Sequence, residues 1–167
     1  MIFNKMITCF ALLATPVLGA GLEIDVIGEA NGTIVIDLFE DIAPLHTDRI
    51  LAHAEAGWYD DIPFRRSLNA SFVKLGHDLM HLRINREFDG VPAELSDFPV
   101  ERGVVLVTPH GRILIMLETH SFTEPYTVVG VVTEGMEIVD AIKVSYSPIS
   151  SFATRDPDVI SSVRIIE

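Results

Sequence analysis

The sequence predicts a mainly β protein whose antiparallel strands close into a barrel capped by two α-helices. Three observations carry that expectation. Short β-branched runs recur between Gly, Pro, Asn and Asp punctuation; the apolar spacing changes to three and four residues in two places only; and the 167 residues hold no internal repeat and no linker-like stretch. With 49% hydrophobic and 22% charged residues there is material for one domain with a core, which excludes a disordered chain. The formal net charge of −12 excludes a general binder of nucleic acid or anionic lipid, because binding to polyphosphate rests on basic side chains.

The first twenty residues, MIFNKMITCFALLATPVLGA, carry one charge, Lys5, then an apolar run from Met6 to Leu18 and the small residues Gly19 and Ala20. A basic start, an apolar stretch too short to span a bilayer and a small-residue exit describe a secretory signal peptide over residues 1–20. A first core strand and an uncleaved anchor are the alternatives. The expected domain is residues 21–167, with cleavage between Gly19 and Gly21. Cys9, the sole cysteine, leaves with the signal, so the mature chain has neither disulfide nor thiolate chemistry.

Leu22, Ile24 and Val26 alternate with Glu23 and Asp25, and Asn31-Gly32 leads into Thr33–Leu38 with Ile34, Ile36 and Leu38 on one face. That is a β-hairpin, with Asn-Gly supplying residues that tolerate positive φ at the turn. Pro44 opens a helix and Gly57 closes it, with Ile50, Leu51, Ala54 and Trp58 on one stripe. Short strands follow at Pro63–Leu68 and Phe72–Leu75. Residues 77–103 read as irregular. Strands return at Val104–Thr108, Ile113–Leu117 and Thr127–Val132; Gly135-Met136 leads a second helix with Ile138, Val139 and Ile142 aligned; and Ser162–Ile166 is the last strand.

Four blocks resemble the cyclophilins, the cyclosporin-type peptidyl-prolyl cis-trans isomerases. Gly32–Pro44 (GTIVIDLFEDIAP) is similar to that family's opening hairpin and the start of its first helix, and Gly57–Arg66 (GWYDDIPFRR) to the run into its signature strand. Val91–Leu95 with Glu101–Val105 resembles a loop of bacterial members. Tyr126–Asp140 (YTVVGVVTEGMEIVD) resembles the late strand and second helix. The resemblance covers Leu22 to Glu167 and implies an eight-stranded antiparallel barrel with a proline-binding groove on its outer face.

Rotation about X–Pro meets a barrier of about 20 kcal/mol because the amide C–N bond is partly double. A site lowers it by seating the proline ring in an apolar pocket and donating a hydrogen bond to the prolyl nitrogen as conjugation is lost. The resemblance implies Arg66 as that donor and Phe72 as the pocket floor, with five residues between them where the family has four. Leu75 falls where the family holds the substrate carbonyl with a glutamine, and Leu114 where it has a second pocket phenylalanine. Phe122 lies at the rim and Tyr126 replaces a pocket histidine. The family's long asparagine-bearing loop shrinks to Thr108-Pro109-His110-Gly111. The expected activity is therefore a weakened prolyl isomerase, or a peptide-binding module on the same fold whose isomerase site has decayed; a barrel kept for an unrelated small ligand is a third possibility. Low affinity for cyclosporin follows from the same losses.

The implied partners are proline-containing peptides or unfolded exported proteins, met by a monomer in the periplasm or outside a bacterial cell. Neither nucleic acid nor cofactor is expected, and contact with a membrane would come only through an uncleaved signal. His77 and His81, four residues apart, are too few to predict a metal site. His46, His53, His110 and His120 read as surface residues, Asp60-Asp61 as a turn, and Trp58 as the residue holding the first helix to the barrel. Asn69-Ala70-Ser71 fits a glycosylation acceptor by pattern alone.

Overall fold

The computed structural model describes residues 19–66, 71–75, 91–108, 111–144 and 156–167. Along the chain run β1 (Gly21–Ile27), β2 (Gly32–Leu38), α1 (Pro44–Glu55), β3 (Phe64–Arg66), β4 (Phe72–Leu75), β5 (Val104–Val107), β6 (Ile113–Met116), β7 (Thr127–Glu134), α2 (Met136–Ala141) and β8 (Val159–Ile166). The strands form one eight-stranded sheet in the order β3-β4-β6-β5-β7-β2-β1-β8, antiparallel at every pairing. Its two edges meet at a short seam. Pro63 bridges Val159, Phe64 N donates to Asp158 O at 2.8 Å and Ile160 N to Ile62 O at 2.9 Å. The expected eight-stranded barrel is the observed one, closed along that seam.

Closure needs curvature, and the register shifts at Asp25/Val26, Val35/Ile36 and Val105/Leu106 supply it, since a bulge bends the strand and adds twist. Gly130, opposite Leu38, lets β7 approach β2 closely: a Cβ there would lie 2.3 Å from Asp37 O. Alternation divides the side chains into two sets. Ile24, Ile34, Phe64, Val73, Leu75, Ile113, Ile115 and Val129 fill the interior, joined by Ile50 and Ala54 of α1 and Val139 of α2. Burial of each such side chain contributes about 1.5–3 kcal/mol. Val100, Val104, Leu106, Leu114, Met116 and Val128 form a separate cluster on the outer face.

Local chemistry fixes the ends. Helix α1 stops in a Schellman motif: Gly57 has φ +67, its N–H donates to Ala54 O at 3.1 Å, and Trp58 N donates to His53 O at 2.9 Å. The accompanying contact is Trp58 stacked on His53, ring centres 5.2 Å apart. Trp58 packs on the helix's own end, and the neighbouring ring of Tyr59 is buried in the core. Two expectations are corrected. His46 and His53 are buried on α1, because both fall on the helix face turned inward. The β1–β2 connection is longer than an Asn-Gly two-residue turn, since Val26 pairs with Gly32 and Gly28 and Gly32, not Asn31, carry positive φ. The loop is shaped from outside: buried Asp158 accepts from Ala30 N at 2.9 Å and leaves no room for a Cβ at Gly28. The expected signal segment lies outside the described residues up to residue 18, as do His77, His81, His110, Asn69 and Ala70.

Candidate functional site

The outer cluster brings together four of the six residues expected at the site. Phe72 and Leu114 come from neighbouring strands, β4 and β6, and Phe122 and Tyr126 from the segment between β6 and β7. Phe122 lies 6.5 Å from Phe72 and 5.3 Å from Tyr126, ring centre to ring centre. These rings cover Leu114, which is 3% exposed, and His120 stands edge-on to Phe122 at 4.6 Å. Tyr126 borders two open hollows. One, of about 490 Å³, runs between residues 96–101 and 119–122 and includes Phe98 and Phe122. The other, of about 200 Å³, is lined by Val91, Ala93, Val107 and Thr108. The larger hollow is mostly polar, with Ser96, Asp97, Glu101, Thr119 and Ser121 around Phe98, Phe122 and Tyr126, and the smaller is the more apolar.

Arg66 and Leu75 are set apart from this cluster. In β4, Val73 and Leu75 point inward and Phe72 and Lys74 outward. Leu75 packs in the core and lines an enclosed void of about 20 Å³ inside the barrel, too small for any peptide. Arg66 pairs with Val73, and its Nη1 donates to the carbonyl oxygens of Asp140 and Ile142 at the end of α2, the latter at 3.3 Å. The Asp140 carboxylate is held below the usual range first by its hydrogen bond from Arg102, against partial burial, with further help from the charges of Arg102 and Arg66.

Thr108 bonds to both Gly111 and Arg112. Gly111 N donates to Thr108 O at 2.8 Å and Thr108 N to Arg112 O at 3.0 Å, with Gly111 at φ +66. The N–H groups of Thr108 and Gly111 are thus taken up within the protein.

Sequence reasoning gave no role to Glu94. Ala43, at the N-cap of α1, has no side-chain acceptor, and the helix makes no cap of its own. Glu94 supplies it from 49 residues away, accepting from Leu45 N at 3.0 Å and His46 N at 3.1 Å, with His46 Nδ1 at 2.6 Å. Its own N–H donates to Thr127 Oγ1 at 3.0 Å. Burial pushes the Glu94 carboxyl up, but the hydrogen bonds from His46 and the two backbone N–H groups outweigh it and hold the group below its ordinary range. This one carboxylate ties α1, the 91–94 segment and β7 beneath the smaller hollow. No group of three or more His, Cys, Asp or Glu placed to hold a metal occurs among the described residues.

Eight antiparallel strands closed into a barrel, with two helices among the described residues and an aromatic cluster on the outer face, define the cyclophilin-like class of barrels. The chain belongs to the cyclophilin-type peptidyl-prolyl cis-trans isomerases: the family model for "Cyclophilin type peptidyl-prolyl cis-trans isomerase/CLD" matches residues 23–165. It is 28% identical over 155 residues to probable peptidyl-prolyl cis-trans isomerases of Brucella suis and Brucella melitensis, covering 81% of this chain and 78% of each relative. Among solved structures, the barrel is similar to a cyclophilin-type isomerase of Cryptosporidium parvum, with TM-score 0.64, 14% identity, and 88% of this chain and 97% of that one covered. A second structure of that protein, determined in the presence of the dipeptide Ala-Pro, has the same score and 99% of its length covered.

Proposed function

We infer that the chain isomerises X–Pro bonds in exported proteins, as a monomer outside the cytoplasm of a bacterial cell, at a rate well below what a full set of donors would give. The observation that carries the reading is the assembly of Phe72, Phe122 and Tyr126 on the outer cluster that holds Leu114, with Phe122 and Tyr126 bordering the larger hollow beside it. The ring of a substrate proline would sit there, and Arg66, turned from its place apart from the cluster, would donate to the prolyl nitrogen as the amide twists.

Arg66 is the cation assigned to that step, and its geometry supports the weakened rate. To reach a prolyl nitrogen the guanidinium must give up its bonds to the Asp140 and Ile142 carbonyls. Exchanging charged hydrogen bonds worth about 1.5–3 kcal/mol lowers the rate by roughly one to two orders of magnitude. Leu75 offers no second donor, and the N–H groups of Thr108 and Gly111 are already bonded. Export is supported by the basic start, apolar run and small-residue exit of residues 1–20.

Two-dimensional NMR exchange on an Ala-Pro tetrapeptide tests the chemistry. Wild type should show a small catalysed rate that falls at least tenfold in Arg66→Ala; equal rates remove Arg66 from the mechanism. Peptide binding with no catalysed exchange in wild type would favour the second reading, a decayed peptide-binding module, to which the engagement of Arg66 also points. The intact mass of the protein recovered from an exporting bacterium tests the leader: a species retaining Met1 would overturn it.

A further inference from the structure

Acidic and aromatic side chains meet in the larger hollow, the one of about 490 Å³ beside the outer cluster. Asp97 and Glu101 line it from the segment before β5, His120 from the segment after β6, and Phe98, Phe122 and Tyr126 supply rings. Both acidic residues are exposed, and among the described residues neither carboxylate meets a cation or accepts a hydrogen bond. Asp25, Glu94 and Asp140, by contrast, are each held by arginine or backbone donors. No Lys or Arg lines the hollow among the described residues. Ser96, next to Asp97 in the lining, keeps its Oγ buried without a hydrogen-bond partner, a cost that a donor entering the hollow would relieve. The rings are held by their neighbours: Phe98 packs on Phe39, ring centres 5.0 Å apart, and Phe122 on Tyr126 at 5.3 Å.

We propose that this hollow takes the side chain of an arginine or lysine two residues from the bound proline, so that the site selects basic proline peptides. Phe122 joins the two parts. Its ring centre lies 6.5 Å from that of Phe72, and a peptide advances about 3.3–3.6 Å per residue. A proline seated against Phe72 thus sets the residue two steps away beside Phe122, at the mouth of the hollow. A guanidinium or ammonium entering there meets two negative charges and aromatic rings, whose faces attract cations. The guanidinium also carries enough N–H donors to serve both carboxylates and the Ser96 hydroxyl. Neutral side chains forgo these contacts, and acidic ones meet like charge. The net charge of −12 acts with the same sign, but at about 0.15 M salt charges beyond about 8 Å are largely screened. Selection then falls to the carboxylates of the hollow itself.

This selection rests on the peptide-binding part of the proposed function and is read separately from catalysis. Acetylated, amidated peptides X-Ala-Pro-Ala-X, with Arg, Gln or Glu at X, are titrated by NMR at about 0.15 M salt, and isomerisation is followed on the same samples. The Arg peptide should bind about five- to tenfold more tightly than the Glu peptide, with Gln between them. In wild type, the amide shifts caused by the Arg peptide should extend to residues 96–101 and 119–122. In Asp97→Asn/Glu101→Gln, which changes two exposed side chains, the ratio should fall to within about twofold. Glu55→Gln/Glu137→Gln removes the same charge from α1 and α2 and should keep the wild-type ratio. A preference without catalysed exchange upholds the selection and overturns the isomerase; exchange without preference does the reverse. Equal binding of the three peptides, a ratio unchanged in the hollow variant, or an equal fall in the helix variant overturns the proposal. So do shifts that leave 96–101 and 119–122 untouched, or no binding by any of the three peptides.

Discussion

Arg66 Nη1 lies 3.3 Å from the carbonyl oxygen of Ile142 and also donates to that of Asp140, so a guanidinium at the end of β3 closes the C-terminal end of α2. That end carries orphan carbonyls and the negative pole of the helix, both of which a cation satisfies. Arg102 also meets Asp140, through a side-chain pair at 2.6 Å in which both partners are 47% exposed. The two arginines should therefore differ when truncated. Arg66→Ala is expected to destabilise by about 1–2 kcal/mol, since backbone acceptors lose a charged donor, and Arg102→Ala by less than about 1 kcal/mol, as solvent screens its pair. Urea unfolding of both variants decides it; equal losses would show that the Arg66 bonds add nothing to stability.

The strands and helices were legible because their signals are local: β-branched alternation in Thr33–Leu38, Pro44 and Gly57 bracketing α1, and the Ile138–Ile142 stripe on α2. The facing of Arg66 and Leu75 was not. Side-chain direction has period two, so one extra residue between Arg66 and Phe72 leaves sequence position and strand face out of step. Placing Leu75 by alignment sets it in the groove, whereas its pairing with the inward Phe64 sets it in the core. Glu94 was illegible for another reason. A carboxylate that caps a helix 49 residues away leaves no short-range pattern, and the only local trace was the missing acceptor at Ala43.

The two faces of the barrel wall should separate binding from stability. Leu75→Ala removes core volume beside an existing void and is expected to destabilise by about 3 kcal/mol while leaving peptide affinity of the folded protein within twofold. Phe122→Ala removes a ring from the outer layer and should weaken Ala-Pro peptide binding by roughly tenfold, with a smaller loss of stability. Denaturant unfolding paired with NMR titration checks both. Weaker binding in folded Leu75→Ala, at full affinity in Phe122→Ala, would place the binding surface elsewhere.

Two glycine-to-alanine changes should fail for different reasons. At Gly130 the backbone conformation admits any residue, but the new Cβ would meet Asp37 O at 2.3 Å and Asp37 C at 3.2 Å. Backbone cannot rotate away, so β7 must move from β2; the expected loss is about 3 kcal/mol or more, at the upper end for overpacking. At Gly103 the nearest atoms lie 3.8 Å away, yet φ is +87, and a left-handed alanine costs about 1–2 kcal/mol. Thermal unfolding should thus rank Gly130→Ala well below Gly103→Ala. The reverse order would mean that β2 and β7 yield easily.

The cap on α1 gives a pH signature. The Glu94 carboxyl accepts from Leu45 N, His46 N and the His46 ring, and these bonds hold it below its ordinary value of 4.5 despite burial. A carboxyl lowered in the folded state binds its proton less readily there than in the unfolded chain. Its contribution is therefore complete above the unfolded value and is lost as pH falls through the lower, folded one. Glu94→Gln keeps the shape but offers one neutral acceptor and turns an NH2 donor toward a second N–H donor. At pH 7 the variant should be less stable by about 1–3 kcal/mol, and the gap should narrow steadily below pH 4.5 as the wild-type carboxyl protonates. Urea midpoints of both proteins between pH 3 and pH 7 measure it. A gap that stays constant to pH 3 would show that the bonds act through shape alone, and one that widens in acid would contradict the direction of the shift.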